Sequence, residues 1–304
     1  MTDTSTTALT RVIGGSTVSA IGLGAMPLSV EGRPDEAQAI ATVHAALDAG
    51  VTLIDTADSY HWHADEVGHN EHLIARALAA YGHGADGVLV ATKGGRGRPG
   101  DGSWTVDGDP RHLRRAARAS AVRLGVEAID LYQLHKPDPA VPFAESVGAL
   151  RELAEAGTVR MVGLSNVDCE QIRTAREILG QYLVSVQNRF SPAHTATRDT
   201  LDLCTDLGLT FLPWSPLGGI SLSAVDDPGS GAPRTDTPFH ALARARGVSP
   251  QQVCLAWHLA QSPAVLPIPG ARRPASIRDS AAAAGLTLSA EELAGLRVQF
   301  LHRQ

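Results

Sequence analysis

The sequence predicts an α/β fold, a (β/α)8 barrel preceded by a short β-hairpin, and three features of its 304 residues carry that expectation. Short apolar runs rich in β-formers recur along the chain, amphipathic stretches separate them, and polar residues gather where the runs end. A run that is apolar without alternation suits a strand covered on both faces, as in a parallel sheet flanked by helices. Eight strand-helix units in one continuous chain favour a closed barrel over an open doubly wound sheet, and residues 1–304 are read as one domain.

Taken in order, TRVIGGSTVSA reads as a hairpin turning at Gly14 and Gly15 and placed to plug the bottom of the barrel. The eight runs follow as SAIGLGAM, VTLIDTA, GVLVATK, IDLYQLH, VRMVGLS, YLVSVQN, LTFLPWS and AVLPIPG. After the first, DEAQAIATVHAALDAG sets Ile40, Val43 and Leu47 on one helical face and stops at Gly50, which suits a left-handed cap. SPQQVCLAWHL opens with Ser249, Pro250 and Gln252, and SAEELAGL pairs Ser289 with Glu292, both in the pattern of a capped helix start. Two stretches lack periodicity: GGRGRPGDGSWTVDGDP after the third run and SAVDDPGSGAPRTDTPF after the seventh. Loops of that length in compact domains are often lids or binding loops, a plain surface insertion being the alternative.

Composition narrows the function classes. A net charge of -6 argues against a nucleic-acid surface, which concentrates Lys and Arg on one face. Cys169, Cys204 and Cys254 are far apart and form no CxxC pair, so neither a disulfide framework nor a cysteine zinc site is expected. MTDTSTTALTRVIGG lacks the basic start and apolar core of a secretory signal, and no apolar run is long enough to span a bilayer. The expectation is a cytoplasmic protein whose partner is a small molecule, with no nucleic acid and no membrane; the oligomeric state has no signature.

Chemistry in such a barrel sits at the C-terminal ends of the strands. Those ends collect Asp55 and Tyr60 after the second run, Lys93 after the third and His135 after the fourth. Together with their neighbours, the segments DTADSY, ATKGG, LYQLH, GLSN, SVQNRF, PWSPL and IPG resemble the aldo-keto reductases, from about Gly22 to Ser280. The resemblance implies a TIM barrel that binds NADP(H) along its rim without a Rossmann domain, NAD(H) being the alternative, and acts on a carbonyl or alcohol substrate.

The four residues have a physical reading of their own. Reducing a carbonyl takes a hydride at carbon and a proton at oxygen, so a positioned acid is required beside the cofactor. Tyr60 is the candidate: a free phenol, with a pKa of about 10, is a reluctant donor, and the Lys93 ammonium is expected to lower that value. Asp55 is expected to hold Lys93 ionised, as the resemblance also implies, and His135 to donate to the carbonyl oxygen. A structural ion pair and a core tyrosine are the plain alternatives. Asp58 is expected to cap or to face solvent.

By resemblance, Ser165, Asn166 and Gln187 hold the nicotinamide carboxamide, and Trp214 offers a stacking surface where the family often has Tyr. Gly24, Ala25 and Asp55 line the same rim. Ser215, Pro216, Leu217, Gly270, Ala271 and Arg272 are expected around the pyrophosphate and adenosine ends, where a helix N-terminus makes an anion site. Arg272 or Arg273 is placed to neutralise a 2′-phosphate. Ser276 stands where many members have Arg or Gln, and Ser280 where Asn is common; both shorten the reach. Met26, His61, Trp62 and Trp104 are the expected substrate-pocket walls.

Three rival readings compete. Gly95, Gly97 and Gly100 match GxGxxG, but Pro99 and the following loop prevent the helix a Rossmann fingerprint requires. HWHADEVGHNEH invites a metal-dependent hydrolase, yet the later strand ends carry Ser165, Gln187, Trp214 and Pro269 in place of further ligands, so no metal is expected. A slow or non-catalytic cofactor sensor is the second alternative to a turning-over reductase.

Overall fold

A computed structural model describes residues 9–221 and 237–297. The first two strands, β1 (Thr10–Ile13) and β2 (Ser16–Ser19), pair antiparallel across Gly14 and Gly15, whose φ angles are 55° and 87°. Two consecutive left-handed residues make the tight turn that matches strand twist. Ile13, fully buried, packs with Leu53, Leu89, Leu131, Val184 and Leu212, which start or line the barrel strands. The hairpin therefore stoppers the end opposite the polar strand termini.

Among the described residues seven parallel strands form the wall: β3 (Leu23–Gly24), β4 (Leu53–Asp55), β5 (Leu89–Gly94), then, past a small hairpin of β6 (Arg96–Gly97) and β7 (Thr105–Val106), β8 (Ile129–Leu134), β9 (Val159–Ser165), β10 (Leu183–Gln187) and β11 (Thr210–Phe211). Their order in the sheet follows the chain. The eighth run, AVLPIPG, closes the ring without becoming a full strand. It bridges β11 at Phe211 and Val265 and β3 at Gly24 and Gly270. Gly22 and Gly24 donate to the carbonyls of Pro267 and Pro269, at 2.9 and 3.0 Å. Both prolines lack an N–H, so this strand accepts on one edge but cannot complete a ladder.

Helices cover the outside: α1 (Glu36–Asp48), α2 (His69–Tyr81), α3 (Pro110–Leu124), α4 (Phe143–Glu155), α5 (Cys169–Leu179), α6 (Arg198–Leu207), α7 (Pro238–Arg246), α8 (Pro250–Leu259), α9 (Pro274–Ala282) and α10 (Ala290–Arg297). The expected starts are present. Ser249 accepts from the Gln252 amide, and Ser289 and Glu292 cap each other. Gly50 follows α1 at φ 79°. Apolar layers fill the space between strands and helices, Tyr132, Val162, Leu164 and Val186 meeting α3, α4 and α5 on one side.

The first irregular stretch is ordered by β6 and β7 and folds over the barrel mouth; no helix begins until Pro110, which disposes of the glycine fingerprint. Most of the second, residues 223–236, lies outside the described residues. Among the described residues no helix is long and apolar enough to cross a membrane.

Candidate active site

Strand register builds the site from below. Lys93 on β5 stands beside Gln133 on β8, and Gln133 beside Gly163 on β9. A Cβ at Gly163 would lie 2.5 Å from Ser185 Oγ and 2.9 Å from Gln133 Cγ, so only glycine leaves the Gln133 side chain its place. β4 ends at Asp55, and the chain returns through residues 56–60 over the mouth, with the Asp58 amide donating to the Lys93 carbonyl at 3.2 Å.

These elements deliver Asp55, Tyr60 and Lys93 to one point, all of them buried. Lys93 Nζ donates to Asp55 Oδ1 at 2.5 Å, to the Thr56 carbonyl at 2.9 Å and to the Tyr60 hydroxyl at 2.9 Å. Three N–H donors meet three oxygens, so the ammonium is fully satisfied. Burial works to lower the Lys93 pKa, but Asp55 and Tyr60 outweigh it and the group titrates above its usual range. Asp55 Oδ2 accepts from Gln187 at 2.7 Å and Gln133 at 3.1 Å. The carboxylate is thus held from both oxygens, which fixes the lysine rather than leaving it to solvent.

Burial pushes the Tyr60 phenol above its ordinary value; the Lys93 ammonium pulls it back and Asp55 pushes it further up. The net direction corrects the expectation that the ammonium brings the phenol below the usual range. Desolvation of a buried anion is the larger effect here. The phenol consequently keeps its proton at neutral pH, with the Lys93 cation 2.9 Å from its oxygen.

His135, also buried, meets Tyr60 edge to face, the ring centroids 5.6 Å apart, and its Nδ1 lies 3.3 Å from Ser59 Oγ. Burial first, then Lys93 and Arg96, hold it well below the usual imidazole range, so it is neutral at pH 7.

Trp104 covers this group, its ring 6.3 Å from that of His135. Met26 begins a short turn after β3, and His61 is buried with Nδ1 on the His63 carbonyl at 2.7 Å. Trp62 is exposed and stacked on His63.

Along the rim, Ser165 Oγ donates to the Gln187 carbonyl at 2.8 Å. Asn166, at φ 59°, donates to the His135 carbonyl and accepts from Trp214 Nε1 at 3.2 Å. The side-chain nitrogen of Gln187 donates to Asp55 at 2.7 Å. A cleft of about 500 Å³ lined by Asn166, Asn188, Arg189, His194 and Trp214 adjoins this edge. Ser215, at φ 48°, turns the chain into Pro216, whose carbonyl accepts from buried His258 at 2.8 Å, and Leu217 packs on the α8 side. Ala25 and Ala271 are buried, and Gly24 and Gly270 meet at the seam. Exposed Arg272 reaches the carbonyls of Glu31 at 3.0 Å and Pro27 at 3.4 Å. α9 begins after Arg273 without a side-chain cap and with no acid in its first turn, where Ser276 sits; Ser280 is buried further along.

Asp58 corrects another expectation. It is buried, one oxygen has no partner, and its pKa is pushed up to about 8, by burial first and then by Glu71. Glu71, fully buried on α2, binds Thr92 at 2.6 Å and Arg123 of α3 at 2.5 Å. The one guanidinium is spent on Glu71, so Asp58 is left to hold a proton. Gln133, Thr56 and Ser59 went unnoticed in the sequence. For Gln133 the signal was present: it lies two residues before His135, and strand alternation points both to the same side.

The imidazoles of the proposed metal segment disperse. His69 Nδ1 lies 2.8 Å from Ser29 Oγ, His61 binds a carbonyl, and His63 caps a short turn.

Comparison with known proteins places this geometry. Residues 20–298 match the Aldo/keto reductase family. The chain is 33% identical over 298 residues to pyridoxine 4-dehydrogenase of Escherichia coli, covering 94% of this chain and 96% of the other. It superposes on a glycerol dehydrogenase from Gluconobacter oxydans with a TM-score of 0.81 and 31% identity, over 94% of this chain and 93% of that one. It is similar as well to an aldo/keto reductase from Klebsiella pneumoniae solved with NADP and acetate, with a TM-score of 0.77 and 26% identity over 97% and 96%. A closed parallel barrel, a lysine clasped between an aspartate and a tyrosine at its mouth, and a match along nearly the whole sequence lead to one statement: the chain belongs to the aldo/keto reductase family.

Proposed function

We propose that the protein reduces an aldehyde or ketone to the alcohol with NADP(H), and that Tyr60 supplies the proton. The observation that carries the reading is the single ammonium within 2.9 Å of both Asp55 and Tyr60, two buried side chains. NADP fits the residues at the rim: α9 starts at Pro274 with no side-chain cap and no acid in its first turn, where Ser276 stands, and Arg272 and Arg273 precede it with positive charge. A relative 26% identical is solved with NADP, and NAD(H) is the alternative cofactor.

When bound, NADPH supplies the hydride for the carbonyl carbon. The chain's own residues serve the oxygen. In the tautomer where Ser59 donates to Nδ1, His135 carries its proton on Nε2 and donates it as a hydrogen bond to the carbonyl, aligning the substrate. Tyr60 passes its phenolic proton to that oxygen as negative charge builds. Lys93 stabilises the phenolate left behind, and Asp55, clamped by Gln133 and Gln187, keeps Lys93 in place.

A panel of aldehydes and ketones followed by loss of reduced-nicotinamide absorbance, with NADPH and NADH in parallel, tests the reading. Turnover with NADPH on at least one class is expected. Tight NADPH binding with no consumption on any of them would favour the sensor instead.

A further inference from the structure

The loop between β5 and α3 places two guanidinium groups against one indole. Arg96 Cζ lies 4.4 Å and Arg98 Cζ 4.5 Å from the centre of Trp104. The two differ in how their charge is met. Arg98 is buried and gives its terminal nitrogens to Glu31, at 2.5 and 2.9 Å, and to the His61 carbonyl at 2.8 Å. Arg96 has no carboxylate or hydrogen-bond acceptor among the described residues, and its Nε is buried without a partner. A half-buried cation sharing one ring with a second cation is an expensive arrangement, and what it lacks is an anion.

The position of this cation relates it to the chemistry. Arg96 follows Lys93 by three residues, opening β6 just past the end of β5, and the Trp104 ring it rests on is 6.3 Å from the ring of His135. Its charge is felt at both proton-handling groups, helping to lower His135 and acting to lower Tyr60. Planar guanidinium held on an aromatic face presents its edge as a fork, the geometry that receives an oxyanion through two parallel hydrogen bonds.

We propose that the substrate carries an oxyanion group, a carboxylate or a phosphate, which pairs with Arg96 on the face of Trp104 while the carbonyl meets Tyr60 and His135. This rests on the reductase reading for the role of Tyr60 and His135, and narrows its substrate class to acidic aldehydes or ketones. Glu31 keeps Arg98 from competing for the same group, so Arg96 alone sets the preference.

Affinity tests this independently of turnover. Isothermal titration of the full chain, with and without NADP+, would compare 4-formylbenzoate with its methyl ester, which matches its shape and lacks the charge. The acid should bind at least about tenfold tighter, and the advantage should shrink as salt rises. In Arg96→Gln the advantage should fall to within about twofold, with Arg96→Lys retaining part of it. 4-Formylphenyl phosphate run beside the benzoate separates phosphate from carboxylate as the preferred group. Equal affinities for acid and ester in the wild type overturn the proposal, as does a preference that survives intact in Arg96→Gln. The wild-type pair and its salt dependence stand even if a variant fails to fold. Intact acid preference without NADPH consumption on either aldehyde would instead sink the reductase reading alone.

Discussion

Lys93 Nζ donates to the Tyr60 hydroxyl at 2.9 Å, and this one contact orients the phenol. The tyrosine oxygen accepts from the ammonium, so its own hydrogen has to point elsewhere, away from Lys93. Asp55 and the Thr56 carbonyl take the other two ammonium protons, which leaves Lys93 nothing to offer except charge. In the proposed reduction the donor toward substrate is therefore the phenol.

Tyr60→Phe removes that donor and keeps the ring against His135. Turnover should drop by roughly 100- to 10,000-fold, the usual worth of general acid catalysis. NADPH affinity, read by quenching of protein fluorescence, should stay within about threefold. Full activity in this variant would remove Tyr60 from the mechanism.

Lys93→Met should cost both chemistry and stability. It leaves the Asp55 carboxylate in a dry site with only the amides of Gln133 and Gln187. Removing one partner of a buried ion pair typically destabilises by about 3–5 kcal/mol. Urea denaturation should show a loss of that order, and the double variant with Asp55→Asn should recover part of it because no charge is then stranded. A double variant no more stable than Lys93→Met would mean that the pair is not what holds this end of the barrel.

Chemistry at the end of a periodic run is legible in the sequence, and placement decided by long-range packing is not. Asp55, Lys93 and His135 each terminate an apolar stretch, so barrel topology alone brings them together. The eighth run was legible as an apolar segment, but its bridging role depends on Pro267 and Pro269, whose missing donors thin the ladder. Gln133 sits inside its run and reads as core, although it is the residue that steadies Asp55. Asp58 follows a strand in a polar loop, a context that suggests exposure; the fold instead buries it within reach of the charges of Glu71 on α2 and Arg123 on α3. Arg96 and Arg98 lie in a glycine-rich stretch whose path follows from a small hairpin and an indole, and periodicity says nothing about either.

Asp58 makes stability depend on pH in an unusual direction. Its pKa rises on folding from 3.8 to about 8, so across that window the folded state holds a proton the unfolded chain has released. Stability contributed by this group is present below the unfolded value and is lost as pH climbs through about 8. His135, depressed on folding, acts oppositely, its penalty appearing as pH falls below 6.5. Asp58→Asn copies the protonated carboxyl and isolates the first effect. Its melting temperature relative to wild type should improve by roughly 2–4 °C or more between pH 5 and pH 8.5, about 1 kcal/mol for a chain of this size. A difference flat with pH would show that Asp58 is ionised in the folded protein.

The hairpin offers a test of how the barrel is closed at its lower end. Gly14 and Gly15 both have positive φ, so alanine strains the backbone at either site. They differ in surroundings: a Cβ at Gly14 would fall 2.2 Å from Met161 Sδ and 2.9 Å from Val184 Cγ1, whereas one at Gly15 meets nothing within 4 Å. Gly15→Ala should therefore cost only the backbone strain, about 1 kcal/mol. Gly14→Ala must add displacement of side chains lining the barrel floor, for a total of about 2–4 kcal/mol. Denaturant midpoints for the two variants decide the matter. Equal losses would mean that the turn rests on the barrel without being packed into it, and a hairpin held that loosely should be removable with little change in the midpoint.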